Sequence, residues 1–407
     1  MHTLNAVFLL VVVLLSFAGS PTKVEARSDT GVALALPGWN WKAVISHLDK
    51  FKAAGFSAIL LPPHTATCSG AFGGLGYDPS DHTSFDGGFG TTAELQTIIR
   101  LAHTAGIHVY ADMILNHMCT KSDYSYPRFS WNDFHHNGPI LDWTNTFQRE
   151  NHDLVGLNDL AQESAYVRHE LAIYLQKSND IGFDGFRWDG VKHIPLWYWR
   201  EHVLGKVSSW GKFSVGEVYD ANHDFLRSYA DLGMSVTDYS LYFRMVDAFK
   251  FGGDLATLDG AGYAGSDQSK AATFVENHDV PPPANRLLAY AFLATYPGYP
   301  FFSHIDLNDA KFKNLIWIHN NFASGRYINR WKERDLIIFE RESNLLVAIN
   351  QSGDWQSRWV DSSWVSTTLH DYSGQVTNTD TYADRRVLVS VPPMSYVMLA
   401  PQTQKKK

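Results

Sequence analysis

The chain has 407 residues, a net charge of −8 and 45% hydrophobic residues. This composition supplies enough apolar side chains for one large core and a second, smaller one. The negative net charge argues against nucleic acid or an anionic membrane surface as the main partner.

The N-terminus begins with an apolar run over residues 7–18, VFLLVVVLLSFA. The run is short for a membrane span and lies at the extreme N-terminus, which is typical of the apolar region of a secretory signal. We expect a signal peptide over residues 1–26, cleaved after Ala18 or after Ala26. No second run reaches membrane length, so we expect a secreted, extracellular protein with no membrane partner.

From residue 31 onward, short apolar runs alternate with stretches that have helical spacing of apolar residues. The predicted strands are Gly31–Leu36, Ala58–Pro62, His108–Leu115, Phe183–Asp189, Phe213–Glu217, Met234–Ser240, Ala272–Asn277 and Tyr299–Ser303. The predicted helices are Trp41–Ala54, Thr92–Ala105, Ala165–Asn179, Trp197–Val207 and Ala284–Thr295. Eight strands alternating with helices predict an α/β fold, a (β/α)₈ TIM barrel.

Two segments depart from this alternation. Residues 118–162 form a long stretch rich in aromatic residues, Asn, Asp and His after strand three, and a loop of that length is usually functional. From Asp335 the chain reads as strand after strand, which predicts a C-terminal antiparallel β-sandwich domain. We therefore assign the barrel to residues 27–117 and 163–327, an inserted domain to 118–162 and the β domain to 328–407.

The chain contains two cysteines, Cys68 and Cys119, and both follow predicted strand ends. In an exported protein such a pair favours a disulfide. Two free buried thiols are the alternative.

Polar residues gather at the predicted strand ends, where a barrel of this kind places its active site. They are Tyr77 after strand two, Asp112, Asn116 and His117 at strand three, Arg187, Asp189, Lys192 and His193 at strand four, Glu217 at strand five, and Asn277, His278 and Asp279 at strand seven. A single pair such as Arg187 and Asp189, which share one face of a strand, is as readily a structural ion pair. Carboxylates converging from several strands on one rim point instead to catalysis.

These strand ends also carry a family resemblance. The segments ADMILNH, GFDGFRWDGVKH, GEVYD and FVENHD, in this order, resemble the four signature segments of the alpha-amylase family of glycoside hydrolases. GLNDLAQE, residues 156–163, resembles its fifth segment. The resemblance extends from about residue 30 to about residue 400.

The resemblance implies a retaining mechanism with two carboxyl groups. Asp189 is expected to be the nucleophile, Glu217 the acid/base and Asp279 a third carboxylate that binds sugar hydroxyls. Arg187 is expected to keep Asp189 ionised, and the neighbouring aspartates are expected to raise the pKa of Glu217.

The resemblance also implies contacts with an α-glucan substrate. His117 and His278 are expected to bind sugar hydroxyls, and Tyr77 is expected to stack on a sugar ring. Lys192 and His193 are expected to line the leaving-group side.

A calcium ion is implied as well, because family members commonly carry one between the barrel and the inserted domain. Side-chain oxygens of Asn116 and Asp159 and the carbonyl oxygen of His193 are the expected ligands, and oxygen ligands suit Ca²⁺. Arg187 and Asn277 match two chloride ligands of some relatives. The segment at strand eight, FFSHID, offers no convincing third basic ligand, so chloride dependence is doubtful.

The function implied by this resemblance is endohydrolysis of α-1,4-glucosidic bonds in starch or glycogen by a monomeric enzyme. An exo-acting maltogenic enzyme, an α-glucosidase or a transglycosylase of the same family is the alternative. A non-catalytic carbohydrate-binding relative is disfavoured, because Asp189, Glu217 and Asp279 are all present.

Overall fold

A computed structural model describes residues 31–70 and 75–402 of the chain. The predicted signal peptide and the tail after residue 402 lie outside these described residues. Eight parallel strands close into a barrel, in the order one, eight, seven, six, five, four, three, two. In chain order these strands are Val32–Ala35, Phe56–Leu60, His108–Met113, Gly185–Trp188, Phe213–Gly216, Ser235–Thr237, Ala271–Phe274 and Tyr299–Phe302.

The predicted TIM barrel is confirmed, and each barrel strand overlaps the run predicted for it. The strands are read correctly because parallel strands with both faces buried are nearly continuous apolar runs. The boundaries differ by a few residues. Strand two begins at Phe56 rather than Ala58, and strand four ends at Trp188, so Asp189 lies just beyond the strand.

The helices surround the barrel and end with ordinary caps. The predicted helices Trp41–Ala54 and Thr92–Ala105 match the structure at both ends. Asn40 caps the first by accepting the Ala43 N–H, and Thr91 and Glu94 form a capping box on the second. The helices in chain order are Trp41–Ala54, Thr92–Ala105, Thr146–Asn151, Ala165–Ile181, Leu196–Tyr198, Leu204–Ser209, His223–Ala230, Tyr239–Ala248, Arg286–Thr295 and Ala310–Phe322.

Shorter helical turns connect these elements. The predicted helix Trp197–Val207 is interrupted by a π-helical turn at Trp199–Val203. The 3₁₀ turns are Trp131–Asp133, Val191–His193, Leu255–Leu258, Tyr263–Gly265 and Gln268–Lys270. Within the described part of the chain, no helix has the length and apolar character needed to cross a membrane.

Two small sheets stand on the rim of the barrel. Ala66–Thr67 pairs with Pro79–Asp81, and His117–Met118 pairs with Asn158–Asp159. The second pairing sets His117 opposite Asp159, so the long insertion leaves and re-enters the barrel at one place.

The predicted disulfide between Cys68 and Cys119 is confirmed. It joins the loop after strand two to the chain just after His117. The Cys119 N–H also donates to the Pro79 carbonyl oxygen, so two links fix the Tyr77 loop to the rim.

The C-terminal domain consists of antiparallel strands in two sheets, which confirms the predicted class of this domain. The six-stranded sheet has the order Tyr327–Lys332, Leu336–Arg341, Leu345–Asn350, Ser395–Pro401, Thr368–Asp371, Thr379–Asp380. The two-stranded sheet pairs Gln356–Asp361 with Arg386–Val391. Valines of this small sheet pack against the large sheet and form a core separate from that of the barrel.

Candidate active site

The buried side chain of Arg187, on barrel strand four, lies at the centre of the polar rim. Its Nη1 atom is 2.8 Å from Oδ1 of Asp112 and 2.8 Å from Oδ1 of Asp189. Its Nη2 atom is 2.8 Å from Oε1 of Glu217. One guanidinium therefore binds three carboxylates from the ends of strands three, four and five.

Strand register produces this arrangement. Asp112 of strand three lies opposite Arg187 of strand four, and Glu217 directly follows strand five. The Glu217 N–H donates to the Trp188 carbonyl oxygen, which fixes the height of Glu217 above the barrel. Three consecutive strands thus deliver their carboxylates to one point. Asp112 is recognisable in the sequence as a strand-end residue, but only the register reveals its bond to Arg187.

Glu217 accepts two further hydrogen bonds. The Gly190 N–H donates to its Oε2 atom at 3.0 Å, and the Tyr239 hydroxyl donates to its Oε1 atom at 3.3 Å. The Asn277 amide donates to the same Tyr239 hydroxyl at 3.0 Å. The sequence offers no signal for Tyr239, because its role depends on strand six standing next to strand five.

The expected order of the carboxyl pKa values is wrong. Burial, together with the charges of Glu217 and Asp112, raises the pKa of Asp189 well above its ordinary value. Burial also works to raise the pKa of Glu217, but Arg187 and the Gly190 N–H outweigh it and lower that pKa. Arg187 is shared by three carboxylates, so it lowers the pKa of Asp189 less than a guanidinium paired with Asp189 alone would.

Asp279 follows strand seven on the opposite side of the site. Asn277 forms a tight turn there, because its Oδ1 atom accepts the N–H groups of Asp279 and Val280 at 2.8 and 3.0 Å. Burial and then the charge of Glu217 raise the pKa of Asp279 to about 6. The structure therefore brings Asp189, Glu217 and Asp279 to one rim, as the sequence predicts.

Tyr77 and His278 form a stacked pair beside these carboxylates. Their ring centroids are 4.6 Å apart and their planes differ by 14°. The Tyr77 hydroxyl donates to Oδ2 of Asp112 at 2.6 Å. One face of each ring is thus covered by the other, and the Arg187 guanidinium lies 5.6 Å from the Tyr77 ring centroid.

His117 is buried and contacts the backbone of Tyr77. Its Nε2 atom donates to the Tyr77 carbonyl oxygen at 3.0 Å, and burial lowers the pKa of the ring to about 4. His117 is therefore a neutral side chain that positions Tyr77 in this structure.

Lys192 and His193 lie in the 3₁₀ turn after strand four. Lys192 Nζ donates to the Tyr219 carbonyl oxygen at 2.6 Å and lies 5.4 Å from the centroid of the Tyr219 ring. The His193 ring is buried and donates from Nδ1 to the Arg149 carbonyl oxygen at 3.0 Å. His193 thus ties the catalytic rim to the inserted segment.

Buried oxygen atoms without hydrogen-bond partners lie where calcium is expected. Oδ1 of Asn116, Oδ1 of Asp159 and Oε1 of Gln162 are all buried without a partner. Asn116 and Asp159 are neighbours, since the Leu160 N–H donates to the Asn116 carbonyl oxygen at 2.9 Å. Unpaired buried oxygens are costly unless a ligand satisfies them, and hard oxygen ligands suit Ca²⁺. These residues fit a calcium ion, although no cluster of three His, Cys, Asp or Glu side chains is found among the described residues.

Gln162 is a candidate ligand that the sequence analysis missed. It lies in the segment GLNDLAQE, three residues after Asp159, and its amide donates to the Leu115 and Asn116 carbonyl oxygens. The two residues matched to a chloride site have other partners: Arg187 binds carboxylates through both terminal nitrogens, and the Asn277 amide binds Tyr239.

A cavity of about 70 Å³ lies at the top of the barrel beside this cluster. Tyr77, Asp112, Arg187, Glu217 and His278 contribute to its wall, and most of the remaining lining residues are apolar. The site therefore combines a concave apolar surface with a few convergent charged groups, which is typical of an active site.

Comparison with known proteins identifies the family. Residues 25–287 match the alpha-amylase catalytic domain, and residues 345–399 match the alpha-amylase C-terminal domain. The chain belongs to the alpha-amylase family of glycoside hydrolases. This confirms the resemblance read from the strand-end segments.

Individual relatives are distant. The chain is 28% identical over 262 residues to a beta/alpha-amylase of Paenibacillus polymyxa, and it spans only about a fifth of the length of that relative. It is 26% identical over 426 residues to an alpha-amylase of Aeromonas hydrophila, with 86% of this chain and 90% of the relative aligned. Among solved structures, an alpha-amylase of Geobacillus thermoleovorans complexed with acarbose superposes with a TM-score of 0.80 at 21% identity. That superposition covers 92% of this chain and 99% of the other, and at this identity it supports the fold alone.

Replacing Asp279 by Asn should stabilise the protein at pH 7. The folded-state pKa of Asp279, about 6, exceeds the usual aspartate value, so the folded state binds this proton more tightly than the unfolded state does. The stabilising contribution of the proton is complete below about pH 4 and is lost as the pH rises through 6. Denaturant unfolding should therefore give Asp279→Asn a larger free energy of unfolding than the wild type at pH 7. Near pH 4 the two free energies should be equal.

Asp184→Asn is the matched control with the opposite sign. His108, the Val109 N–H and His103 overcome the effect of burial and lower the pKa of Asp184 to about 2. The control should therefore be less stable than the wild type at pH 7. If Asp279→Asn also loses stability at pH 7, the electrostatic description of the rim is contradicted.

Removing calcium should lower the melting temperature. If the ion binds only the folded protein, at one hundred times its dissociation constant, its loss costs about 2.7 kcal/mol, or about 3 °C for a chain of this size. A chelator should produce this shift in the wild type and almost none in Asp159→Asn. A wild-type melting curve that does not change with chelator would count against the site at Asn116 and Asp159.

Proposed function

We propose that this protein is a secreted alpha-amylase that cleaves internal α-1,4-glucosidic bonds of starch or glycogen with retention of configuration. One observation carries the proposal: the two terminal nitrogens of Arg187 hold Asp189 and Glu217 side by side at the ends of adjacent strands. Retaining glycosidases need two such neighbouring carboxyl groups, one as nucleophile and one as acid/base.

The reaction takes two steps. Asp189 attacks the anomeric carbon while Glu217 donates its proton to the glycosidic oxygen, so the leaving chain departs with its hydroxyl restored. Glu217 then removes a proton from water, and the water attacks the glycosyl ester and releases Asp189. Two inversions at the same carbon give a product of the original configuration.

The mechanism requires an ionised Asp189 and a protonated Glu217, which is the reverse of the order of their pKa values in this structure. Both carboxyl groups bind the same guanidinium, so moving one proton from Asp189 to Glu217 leaves the net charge of the cluster unchanged. A glycosidic oxygen placed at Glu217 would favour the protonated form of Glu217, because only that form can donate a hydrogen bond to it.

The remaining polar groups bind and position the sugar at the cleavage point. Asp279 is 45% exposed and reaches the open side of the site, where it can accept hydrogen bonds from sugar hydroxyls. His278 lies beside it and supports the Tyr77 ring, while His117 acts through the Tyr77 backbone. Lys192 and His193 line the leaving-group side of the site.

Calcium would be held by Asn116 and Asp159, with the His193 carbonyl oxygen contributing from the turn after strand four. The ion would supply positive charge that neutralises buried oxygens and fixes the inserted segment to the barrel. It takes no part in bond cleavage. Loss of the ion is expected to loosen the turn that carries Gly190, and Gly190 supports Glu217.

Secretion is supported by the apolar N-terminal run and by the disulfide between Cys68 and Cys119, since disulfides persist in oxidising compartments. Endo action is supported by the alignment with an alpha-amylase over nine tenths of the length of that relative. An exo-acting maltogenic enzyme, an α-glucosidase or a transglycosylase of the family would share the same carboxylates, so product analysis must separate them.

Glu217→Gln should remove nearly all hydrolysis while leaving oligosaccharide binding in place. Loss of general acid/base catalysis costs about 10²–10⁴ in rate, and the amide keeps the size of the side chain. The measurement is the turnover of soluble starch together with the dissociation constant for maltoheptaose. Tyr239→Phe, which removes the hydrogen bonds of the Tyr239 hydroxyl to Glu217 and Asn277 but keeps the Glu217 carboxyl group, is the control and should lose less than about tenfold in rate. More than a few per cent of activity in Glu217→Gln would exclude the assigned role.

Incubation with soluble starch should lower the viscosity well before most bonds are cut, because internal cleavage shortens chains quickly. Polarimetry or NMR should show that the new reducing ends first appear in the α configuration. Steady release of glucose or maltose without an early fall in viscosity would identify an exo-acting enzyme. Chain redistribution without new reducing ends would identify a transglycosylase.

A further inference from the structure

The C-terminal domain displays a row of exposed aromatic side chains on its small two-stranded sheet. Side chains alternate between the two faces of a strand. The inner face buries Val360, Val387 and Val389 against the six-stranded sheet. The outer face exposes Trp359 and Leu388, which are cross-strand partners.

Trp355, just before the first strand of this sheet, continues the outer row. Trp355 is 59% exposed and Trp359 is 46% exposed, and both stand on the same side because they are four residues apart. At about 3.3 Å per residue their backbones lie about 13 Å apart. Tyr382, 57% exposed, packs its ring against Trp359 with a centroid distance of 5.5 Å. We call Trp355, Trp359, Tyr382 and Leu388 the aromatic strip.

Polar groups border the strip, and two of them form an ion pair. The Arg386 guanidinium lies 5.6 Å from the Trp359 ring centroid, and its Nε atom is 2.9 Å from Oδ2 of Asp384. Between the two tryptophans, the hydroxyls of Ser357 and Ser390 are 2.8 Å apart. The surface thus offers flat rings and hydroxyl groups, with one ion pair and the exposed Asp361 carboxylate at its edge, so it is complementary to a ligand rich in hydroxyl groups rather than to a phosphate or an acidic chain.

The size of the strip favours a slender ligand over a protein. Strands of six residues are about 20 Å long, and two of them are about 10 Å wide, which gives about 200 Å². A stable protein interface needs about 800 Å² from each partner. Scattered exposed rings are ordinary on a protein surface, but here one tryptophan on the strand packs against a tyrosine and a second tryptophan directly precedes the same strand, so three exposed rings lie close together.

We propose that the aromatic strip binds a chain of the α-glucan substrate on the surface of the C-terminal domain; this rests on the proposed function. The apolar faces of successive glucose units pack on Trp355 and Trp359, and sugar hydroxyls bond to Ser357, Ser390 and Arg386. None of the strip residues lines the cavity at Arg187. The strip therefore holds the polymer without cutting it, and it raises the local concentration of chain ends and branches near the rim.

The test compares the full-length wild type with the double variant Trp355→Ala, Trp359→Ala. Binding to raw starch granules is measured by depletion from the supernatant, with cellulose as the β-linked comparison, and hydrolysis is measured on maltoheptaose. Phe251→Ala removes a fully exposed ring outside the strip and serves as the control. Tyr382→Ala provides a single, milder variant should the double variant be unstable.

The double variant should bind granules about tenfold more weakly, a loss of about 1.4 kcal/mol, because two stacking rings are removed. Tyr382→Ala should bind granules severalfold more weakly, and Phe251→Ala should bind them as tightly as the wild type does. All three variants should turn over maltoheptaose at the wild-type rate. Unchanged granule binding in the double variant, or equal binding of the wild type to cellulose, would overturn the proposal. A change of oligomeric state in the variants would overturn it too, because the strip would then be a contact between copies. Failure of the wild type to cleave maltoheptaose would instead refute the proposed function.

Discussion

One guanidinium shared by three carboxylates is the constraint on which the rest of the rim depends. Arg187 binds Asp112, Asp189 and Glu217 in a buried setting, where an unpaired carboxylate would be costly. With one positive charge for three acidic groups, the cluster keeps a proton more readily than three independent pairs would. A site that must both donate a proton and present a carboxylate benefits from such sharing, because the proton can change partner without a change in net charge.

The barrel and its rim loops serve to hold this cluster. Register sets Asp112 opposite Arg187, and the Gly190 N–H and the Tyr239 hydroxyl fix Glu217 from two further directions. The disulfide at Cys119 and the His117 ring hold the Tyr77 loop, and Tyr77 in turn bonds to Asp112. Residues at or after strands two to seven therefore all help to hold the carboxylate cluster at one rim. The C-terminal domain contributes none of these contacts, which leaves its outer surface free for a different task.

Much of the barrel fold and of the candidate site was predictable from the sequence. Runs such as residues 58–62 are apolar throughout because both faces of a barrel strand are buried, and strand ends such as Asp189 and Glu217 interrupt the pattern with charge. The helix Trp41–Ala54 was recognisable from the helical spacing of its apolar residues. The strand Tyr327–Lys332 was missed because it lies at a sheet edge and mixes aromatic with charged residues. The predicted pKa order of Asp189 and Glu217 was wrong because the actual order depends on contacts with Asp112 and Gly190, and these contacts arise from register and turn geometry. The stacking of Tyr77 on His278, about two hundred residues apart, could not be read from local pattern either.

The most direct test of the central claim is to identify the carboxylate that bonds to the sugar. A fluorinated maltosyl fluoride, which forms a long-lived glycosyl ester with the nucleophile of a retaining glycosidase, is incubated with the enzyme, and the labelled peptide is sequenced by mass spectrometry. The account predicts a single adduct on Asp189. An adduct on Glu217, whose pKa is the lower of the two in this structure, would reverse the assignment of the pair. The absence of any adduct from an enzyme that turns over starch would contradict the covalent mechanism itself.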